Sequence, residues 1–176
     1  MTNPNKRKGT AWESSVRDHL NGELGLLGED GKIRDPFFWG NARRPAQEGA
    51  RDVGDVHLVP FVLECKDVAK PTIPGFLRQA VTEAGHAGFP FGVAVVKVRG
   101  AAVRRGKVYF TVATWTQVRH VLGMDTDSMR KLYGFTATVR GTNTERWYLS
   151  CEMDAFAALV EDVRAVYGTE VIRAVR

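Results

Sequence analysis

The sequence predicts an α/β protein in which helices flank a central mixed β-sheet. Short runs rich in apolar and β-branched residues are typical of strands, and they occur at residues 54–66, 91–98 and 107–113. Segments with helical periodicity alternate with them, at about residues 10–24, 74–87, 114–122 and 153–167. This alternation favours a sheet covered by helices.

The chain is long enough for one domain with its own core, since it has 176 residues of which 44% are hydrophobic. We expect residues 1–8 to form a flexible basic arm and residues 9–122 to form the core, with a short strand at Pro36–Asn41. Residues 123–176 are expected to be a C-terminal α+β extension that packs on the core or lies at a dimer interface.

The first predicted helix carries an acidic residue at the edge of its apolar face. Thr10 is the expected N-cap of this helix. Its buried side is marked by apolar residues at i, i+4 and i+8, namely Trp12, Val16 and Leu20. Glu13 falls beside the last of these, so its carboxylate needs a partner. Spacing alone leaves two alternatives open, a salt bridge to Arg17 and a metal ion.

Residues 54–66 predict a β-hairpin that brings charged side chains together. Two apolar runs are interrupted at residues 59 and 60, and a turn centred there pairs residues whose numbers sum to 119. Asp55 then lies directly across from Glu64. Because strand side chains alternate, Lys66 shares the face of Glu64, whereas Cys65 points to the other side.

Two carboxylates facing each other on neighbouring strands repel unless something stabilises them. A hard divalent cation does so, and Mg²⁺ takes one or two protein carboxylates together with phosphate oxygens of a substrate. Lys66 can then orient or deprotonate a metal-bound water, or stabilise charge on the phosphate. The alternative is that Asp55 is an ordinary turn residue and Glu64 with Lys66 forms a solvated edge.

The charge pattern favours a polyanionic partner such as nucleic acid. The net charge is +5 and the pI is about 9.4. Basic clusters lie at residues 6–8, 43–44 and 99–107, and Lys97 ends an otherwise apolar strand. The predicted DNA-binding residues are Lys6, Arg7, Lys8, Arg43, Arg44, Arg51 and Lys97. Each cluster alone is more often a solvated surface.

Several other polar residues are interpreted as structural. His57 is expected to be a half-exposed strand residue. Gln79, Glu83 and His86 share one face of the second long helix, which we predict to be solvated. No apolar stretch is as long as a membrane span, and the polar start lacks the apolar segment of a signal peptide. We therefore expect a cytoplasmic protein without a membrane partner.

These residues resemble the motif of the PD-(D/E)XK nuclease superfamily, with Asp55 as the first acidic residue and Glu64-Cys65-Lys66 as the E-x-K. Within it the chain is similar to Holliday-junction resolvases of the archaeal type and of bacterial viruses. The residues that carry this similarity lie in about the first hundred, namely Lys8-Gly9, Glu13, Arg51–Asp55, Leu63–Lys66, Glu83–Gly88 and Gly92–Lys97.

The resemblance implies a restriction-endonuclease-like core and a Mg²⁺-dependent endonuclease, with Mn²⁺ as a substitute, that cleaves branched DNA such as four-way junctions. It implies a homodimer, in the host cytoplasm if the protein is viral. Asp55, Glu64 and the backbone carbonyl of Cys65 would hold the metal, and Glu13 would assist the metal or its water. Lys66 would position the attacking water.

Two alternatives remain beside this interpretation. One is a nuclease of the same chemistry that acts on a flap, a recognition site or a DNA end. The other is a non-catalytic DNA-binding protein of the same fold.

Overall fold

The computed structural model describes residues 4–46 and 52–174 and has an α/β fold built on one six-stranded mixed sheet. The strands lie in the order β1-β2-β3-β4-β6-β5. Their bounds are β1 Val56–Leu58, β2 Phe61–Lys66, β3 Phe91–Val96, β4 Lys107–Thr111, β5 Thr136–Thr138 and β6 Tyr148–Glu152. The α/β class and the mixed sheet predicted from the sequence are confirmed.

Five α-helices flank the sheet in the described part of the chain. Their bounds are α1 Pro4–Glu23, α2 Ile73–Ala87, α3 Val112–Val121, α4 Thr126–Tyr133 and α5 Met153–Ala174. The main core lies between the sheet and α1, α3, α4 and α5, and a smaller cluster lies beneath α2 on the opposite face. None of the described helices is long and apolar enough to cross a membrane.

The predicted hairpin is formed by β1 and β2 in the predicted register. Val56 pairs with Leu63, His57 with Val62 and Leu58 with Phe61, so every pair sums to 119. The neighbouring strand β3 runs parallel to β2, and α2 makes the crossover between them. Parallel strands end at the same edge of a sheet, which brings the ends of β2 and β3 together.

The C-terminal third is part of the same sheet and core. Strand β6 pairs with β4 on one side and with β5 on the other. Helix α5 contributes six fully or nearly fully buried apolar side chains to the main core, namely Met153, Phe156, Ala157, Leu159, Val160 and Val163. Residues 123–174 therefore complete the sheet instead of forming an appendage beside it.

The beginning of the chain differs from its prediction. Helix α1 starts at Pro4, so residues 4–8 of the expected arm are helical and Thr10 lies inside the helix instead of capping it. Proline is favoured in the first turn, and the basic residues that follow are good helix formers. Residues 1–3 of the arm lie outside the described chain. Further along α1, Trp12, Val16 and Leu20 are buried as expected.

The short strand expected at Pro36–Asn41 is wrong, because this segment forms consecutive turns. The Asp35 carboxylate accepts a hydrogen bond from the Phe37 N–H at 2.9 Å, and the Asp35 carbonyl accepts one from Phe38 at 3.1 Å. An aspartate that bonds to the backbone two residues on is a turn former. The aromatic run is consequently not a strand, and Phe37 is 88% exposed.

Candidate active site

A cleft of about 860 Å³ opens at the carboxyl ends of β2 and β3. It collects residues from α1, the β1–β2 hairpin and the segments that follow β2 and β3. Its charged lining consists of Lys8, Glu13, Asp55, Lys66, Asp67, Lys97 and Arg99. Acidic residues and basic residues that were predicted for the site therefore line the same cleft.

Asp55 is held against the end of β2 by backbone hydrogen bonds. Its N–H donates to the Leu63 carbonyl at 3.1 Å, and its Oδ2 accepts from the Cys65 N–H at 2.7 Å. Gly54 directly before it has φ of 89°, and a Cβ there would lie 2.4 Å from Cγ1 of Val62. Only glycine suits this close approach, which directs Asp55 over the strand end.

The hydrogen bond from the Cys65 N–H to Asp55 also fixes the direction of the Cys65 carbonyl, which is a third candidate ligand. The N–H and C=O of one residue in a strand point to the same side. Since the Cys65 N–H points to Asp55, the Cys65 carbonyl also points to the Asp55 side of β2. Its thiol is buried in the main core, and burial raises the pKa of that thiol well above its usual value. Cys65 is therefore a core residue through its side chain, as predicted.

Glu64 lies beneath the cleft and is only 2% exposed. Its Oε1 forms an ion pair with Nζ of Lys66, whose ammonium also lies 5.6 Å from the ring centre of Phe76. Asp55 lies close enough to Glu64 for the charge of Glu64 to raise the pKa of the Asp55 carboxyl. The expected meeting of Asp55, Glu64 and Lys66 is thus present in the structure.

The electrostatics of this group are dominated by burial. Desolvation, the charge of Glu64 and a smaller effect of Glu13 together raise the pKa of Asp55 to about 7, although the hydrogen bond from the Cys65 N–H opposes the shift. Desolvation also raises the pKa of Glu64 to about 7, although the hydrogen bond from Lys66 opposes the shift. Burial alone would lower the pKa of Lys66, but the bond to Glu64 and the surrounding carboxylates raise it. The acids lack sufficient positive charge to stabilise them fully.

A fourth acid, Glu83 of α2, was missed as a site residue by the sequence analysis. It is 2% exposed, contradicting the predicted solvated face, and it lies close enough to Glu64 to raise the pKa of that carboxyl. Gln79 Nε2 donates to its Oε1 at 2.8 Å, whereas its Oε2 is buried without a partner among the described residues. Burial raises the pKa of Glu83.

The burial of Glu83 follows from how closely α2 approaches β3. A Cβ on Gly92 of β3 would lie 2.2 Å from the carbonyl oxygen of Ala80, so the glycine allows the helix backbone to contact the strand. A helix at that distance buries flanking positions as well as its apolar stripe. The pairing of Gly92 with the small residues Ala80 and Ala84 is the sequence feature that could have indicated this.

Glu13 lines the cleft but has a partner that spacing on the helix could not reveal. Its Oε2 lies 2.5 Å from Nη2 of Arg44, while Arg17 pairs with Asp18 at 2.7 Å. The predicted alternative of a bridge to Arg17 is wrong. Glu13 is near enough to Asp55 to raise the pKa of that carboxyl.

The three predicted acids do not form a tight ligand triad in this conformation. Across the described chain, one group of His, Cys, Asp and Glu residues places three ligand atoms within 4.8 Å of one another, and it consists of His19, Glu23 and Asp154. The structure brings Asp55 and Glu64 close together, but Glu13, Asp55 and Glu64 do not meet as a group within that distance. Arg44 holds Glu13 in its own ion pair.

The donor set at the hairpin nevertheless fits a hard divalent cation. Asp55 and Glu64 offer two neighbouring carboxyls, and the Cys65 carbonyl points to the Asp55 side of β2. Two carboxylates, one carbonyl and water match the oxygen ligands that Mg²⁺ prefers. A cation there would also supply the positive charge that the buried acids lack.

The predicted DNA-binding residues divide into two groups. Lys8 and Lys97 line the cleft, together with Arg99 from outside the predicted set, although Lys97 also pairs with Asp67 at 2.8 Å. Arg43 instead donates to two loop carbonyls at 2.9 and 2.7 Å, which is a structural role. Arg7 is exposed. Arg51 and the side chain of Lys6 lie outside the described part of the structure.

His57 is half-buried on β1, as expected. Its Nε2 lies 2.7 Å from the Val53 carbonyl, and burial lowers its pKa. The imidazole therefore supports the loop that precedes Asp55.

Comparisons with protein-family models, curated proteins and solved structures find no match to this chain.

Proposed function

We propose that the protein is a Mg²⁺-dependent DNA endonuclease with a restriction-endonuclease-like core. The observation that carries this proposal is the close approach of the half-buried Asp55 to the buried Glu64, which is paired with the Lys66 ammonium. The group sits under a cleft with basic residues on its walls. Phosphodiester hydrolysis uses acids that hold a hard cation, a neighbouring lysine and a surface that binds phosphate. This group and its cleft provide all three.

Each residue has a role in this proposal. Asp55, Glu64 and the Cys65 carbonyl would hold the cation, which would polarise the scissile phosphate and lower the pKa of water. Lys66 would orient the attacking water and stabilise negative charge on the phosphate. Glu83, beneath Glu64, would keep that carboxylate in position. Glu13 would need release from Arg44 to approach the cation or its water.

We further propose branched DNA as the substrate and a homodimer as the active form. The sequence resemblance to junction resolvases supports both. A symmetric four-way junction needs two cuts, which a two-fold dimer with two sites can make.

Cleavage assays with Mg²⁺ test the chemistry. Wild type should cut DNA, and Glu64→Gln should lose activity because the amide cannot replace the anionic ligand. Arg130→Ala is a matched control, because Arg130 is exposed on α4 and is 65% accessible. If neither wild type nor Glu64→Gln cuts any DNA while both bind it equally, the protein is a binding module and the proposed chemistry is wrong.

A substrate panel tests the selectivity separately. Labelled junction, flap, nicked and linear duplex DNA of the same length should be cut at different rates, with the junction cut fastest. Equal cutting of plain duplex would contradict the resolvase assignment and leave the nuclease chemistry intact.

A further inference from the structure

A second basic cleft lies beside the candidate active site, and two of its three arginines come from a part of the chain that the resemblance does not cover. It has a volume of about 530 Å³ and lies between the first turns of α2 and the connection from β5 to β6. Its charged lining consists of Arg78, Arg140, Arg146 and Glu145. Three guanidinium groups against one carboxylate make it a positively charged concavity.

The arginines of this cleft have little to neutralise them. Arg140 and Arg146 are exposed, and neither has a carboxylate oxygen within 4.0 Å in the described chain. Arg78 pairs with Glu145 at 3.4 Å, and both side chains are nearly two-thirds exposed. Such an exposed ion pair contributes little stability and opens readily for a stronger anionic ligand.

The two clefts adjoin along one segment that leaves β2. Val68 and Ala69 line the catalytic cleft, and Pro71 and Thr72 line the second one. Cα atoms two residues apart are separated by at most about 7.6 Å. A polyanion that leaves the catalytic cleft along this segment therefore reaches the arginines next.

We propose that the Arg78–Arg140–Arg146 cleft binds the phosphate backbone of the DNA substrate on one side of the cut. This inference rests on the proposed function and adds the path of the substrate. Guanidinium groups bind phosphate through paired, charge-assisted hydrogen bonds, and such contacts position DNA without reading its sequence. Glu145 opposes this binding, because its carboxylate occupies Arg78 and repels phosphate.

Binding of a labelled four-way junction in EDTA, followed by fluorescence anisotropy across about 50 to 200 mM salt, tests the inference. The Arg140→Ala/Arg146→Ala variant should bind at least roughly tenfold more weakly at about 0.1 M salt, with a salt slope less steep by about 1.8. Glu145→Gln should bind more tightly than wild type. The control Arg130→Ala/Lys131→Ala removes two exposed charges from α4, on the other side of the sheet, and should bind like wild type.

The outcomes separate the two proposals. If Arg140→Ala/Arg146→Ala has the affinity and salt slope of wild type, the second cleft does not bind the DNA backbone, and the proposed nuclease chemistry is unaffected. An equal loss of affinity in the α4 control also contradicts DNA binding by this cleft, since the loss then comes from the lower net charge of the protein. DNA binding that depends on the arginines without any Mg²⁺-dependent cleavage supports the cleft and contradicts the proposed enzyme. Wild type that binds no DNA overturns both.

Discussion

The buried acids make the metal-free protein sensitive to pH in a definite direction. Asp55 and Glu64 each have a folded-state pKa of about 7, above the usual value of a carboxyl. Between those values the folded state binds more protons than the unfolded chain, so its stability falls as pH rises. The stabilising protons are fully present below the ordinary carboxyl pKa and are lost as pH passes through about 7.

The size of the effect follows from the shifts. One pKa unit corresponds to about 1.4 kcal/mol, so a single uncoupled carboxyl with such a shift would contribute on the order of 4 kcal/mol. The charge of Glu64 acts on Asp55, and Glu64 is also paired with Lys66, so the two carboxyls do not contribute independently. We expect wild type in EDTA to lose on the order of 3 kcal/mol between about pH 5 and pH 8.

Urea unfolding in EDTA at several pH values measures this directly. Asp55→Asn removes one of the two shifted carboxyls and the like charge beside Glu64, so its profile should be flatter. His57 contributes the opposite slope, because burial lowers its pKa and its stability contribution is lost as pH falls. Subtracting the pH profile of Asp55→Asn from that of wild type cancels the contribution of His57, which both proteins share. Identical slopes in both proteins would refute the assignment of the pH dependence to this acid pair.

Two further substitutions test the catalytic and structural parts of the site. Lys66→Ala should reduce cleavage by at least roughly a hundredfold and change junction affinity little, because one phosphate contact among many contributes little binding. A parallel loss of affinity, measured by anisotropy, would make Lys66 a DNA anchor instead. Gly54→Ala should destabilise the fold by about 1 to 3 kcal/mol in urea unfolding, since φ of 89° strains any side chain and Val62 blocks the Cβ. An unchanged midpoint would contradict the described loop geometry.

The part of the site formed by neighbouring residues was predictable from the sequence. The turn after Val59 determines the register of β1 and β2, so the pairing of Asp55 with Glu64 follows from residue numbers alone. Alternation then places Lys66 on the face of Glu64. These relationships depend on local geometry and not on the arrangement of distant elements.

The residues that were misjudged depend on long-range packing. Glu83 lies on the polar face of an amphipathic helix, and its burial depends on the close approach of α2 to Gly92. Glu13 finds its partner in Arg44, which comes from a loop 31 residues later. Helix periodicity gives no information about how closely α2 approaches β3 or about which distant residue pairs with Glu13.

Local turn chemistry explains the other differences in the fold. The aromatic run at 37–39 has strand propensity, but the Asp35 side chain bonds to the backbone ahead of it and forms a turn. Helix α4 was not predicted because it has only eight residues. Its start is nevertheless marked by Asp125, whose side chain accepts a hydrogen bond from the Ser128 N–H at 2.7 Å.

Calorimetric titration of Mg²⁺ at about pH 8 is the most direct test of the central claim, because the acids are then largely deprotonated. Wild type should bind the ion, and both Asp55→Asn and Glu64→Gln should bind at least roughly tenfold more weakly. Asp154→Asn is the matched control, since it alters the separate His19, Glu23 and Asp154 group and should keep wild-type affinity. Mg²⁺ binding that survives both hairpin substitutions, or that disappears only in Asp154→Asn, would contradict a metal site at Asp55 and Glu64.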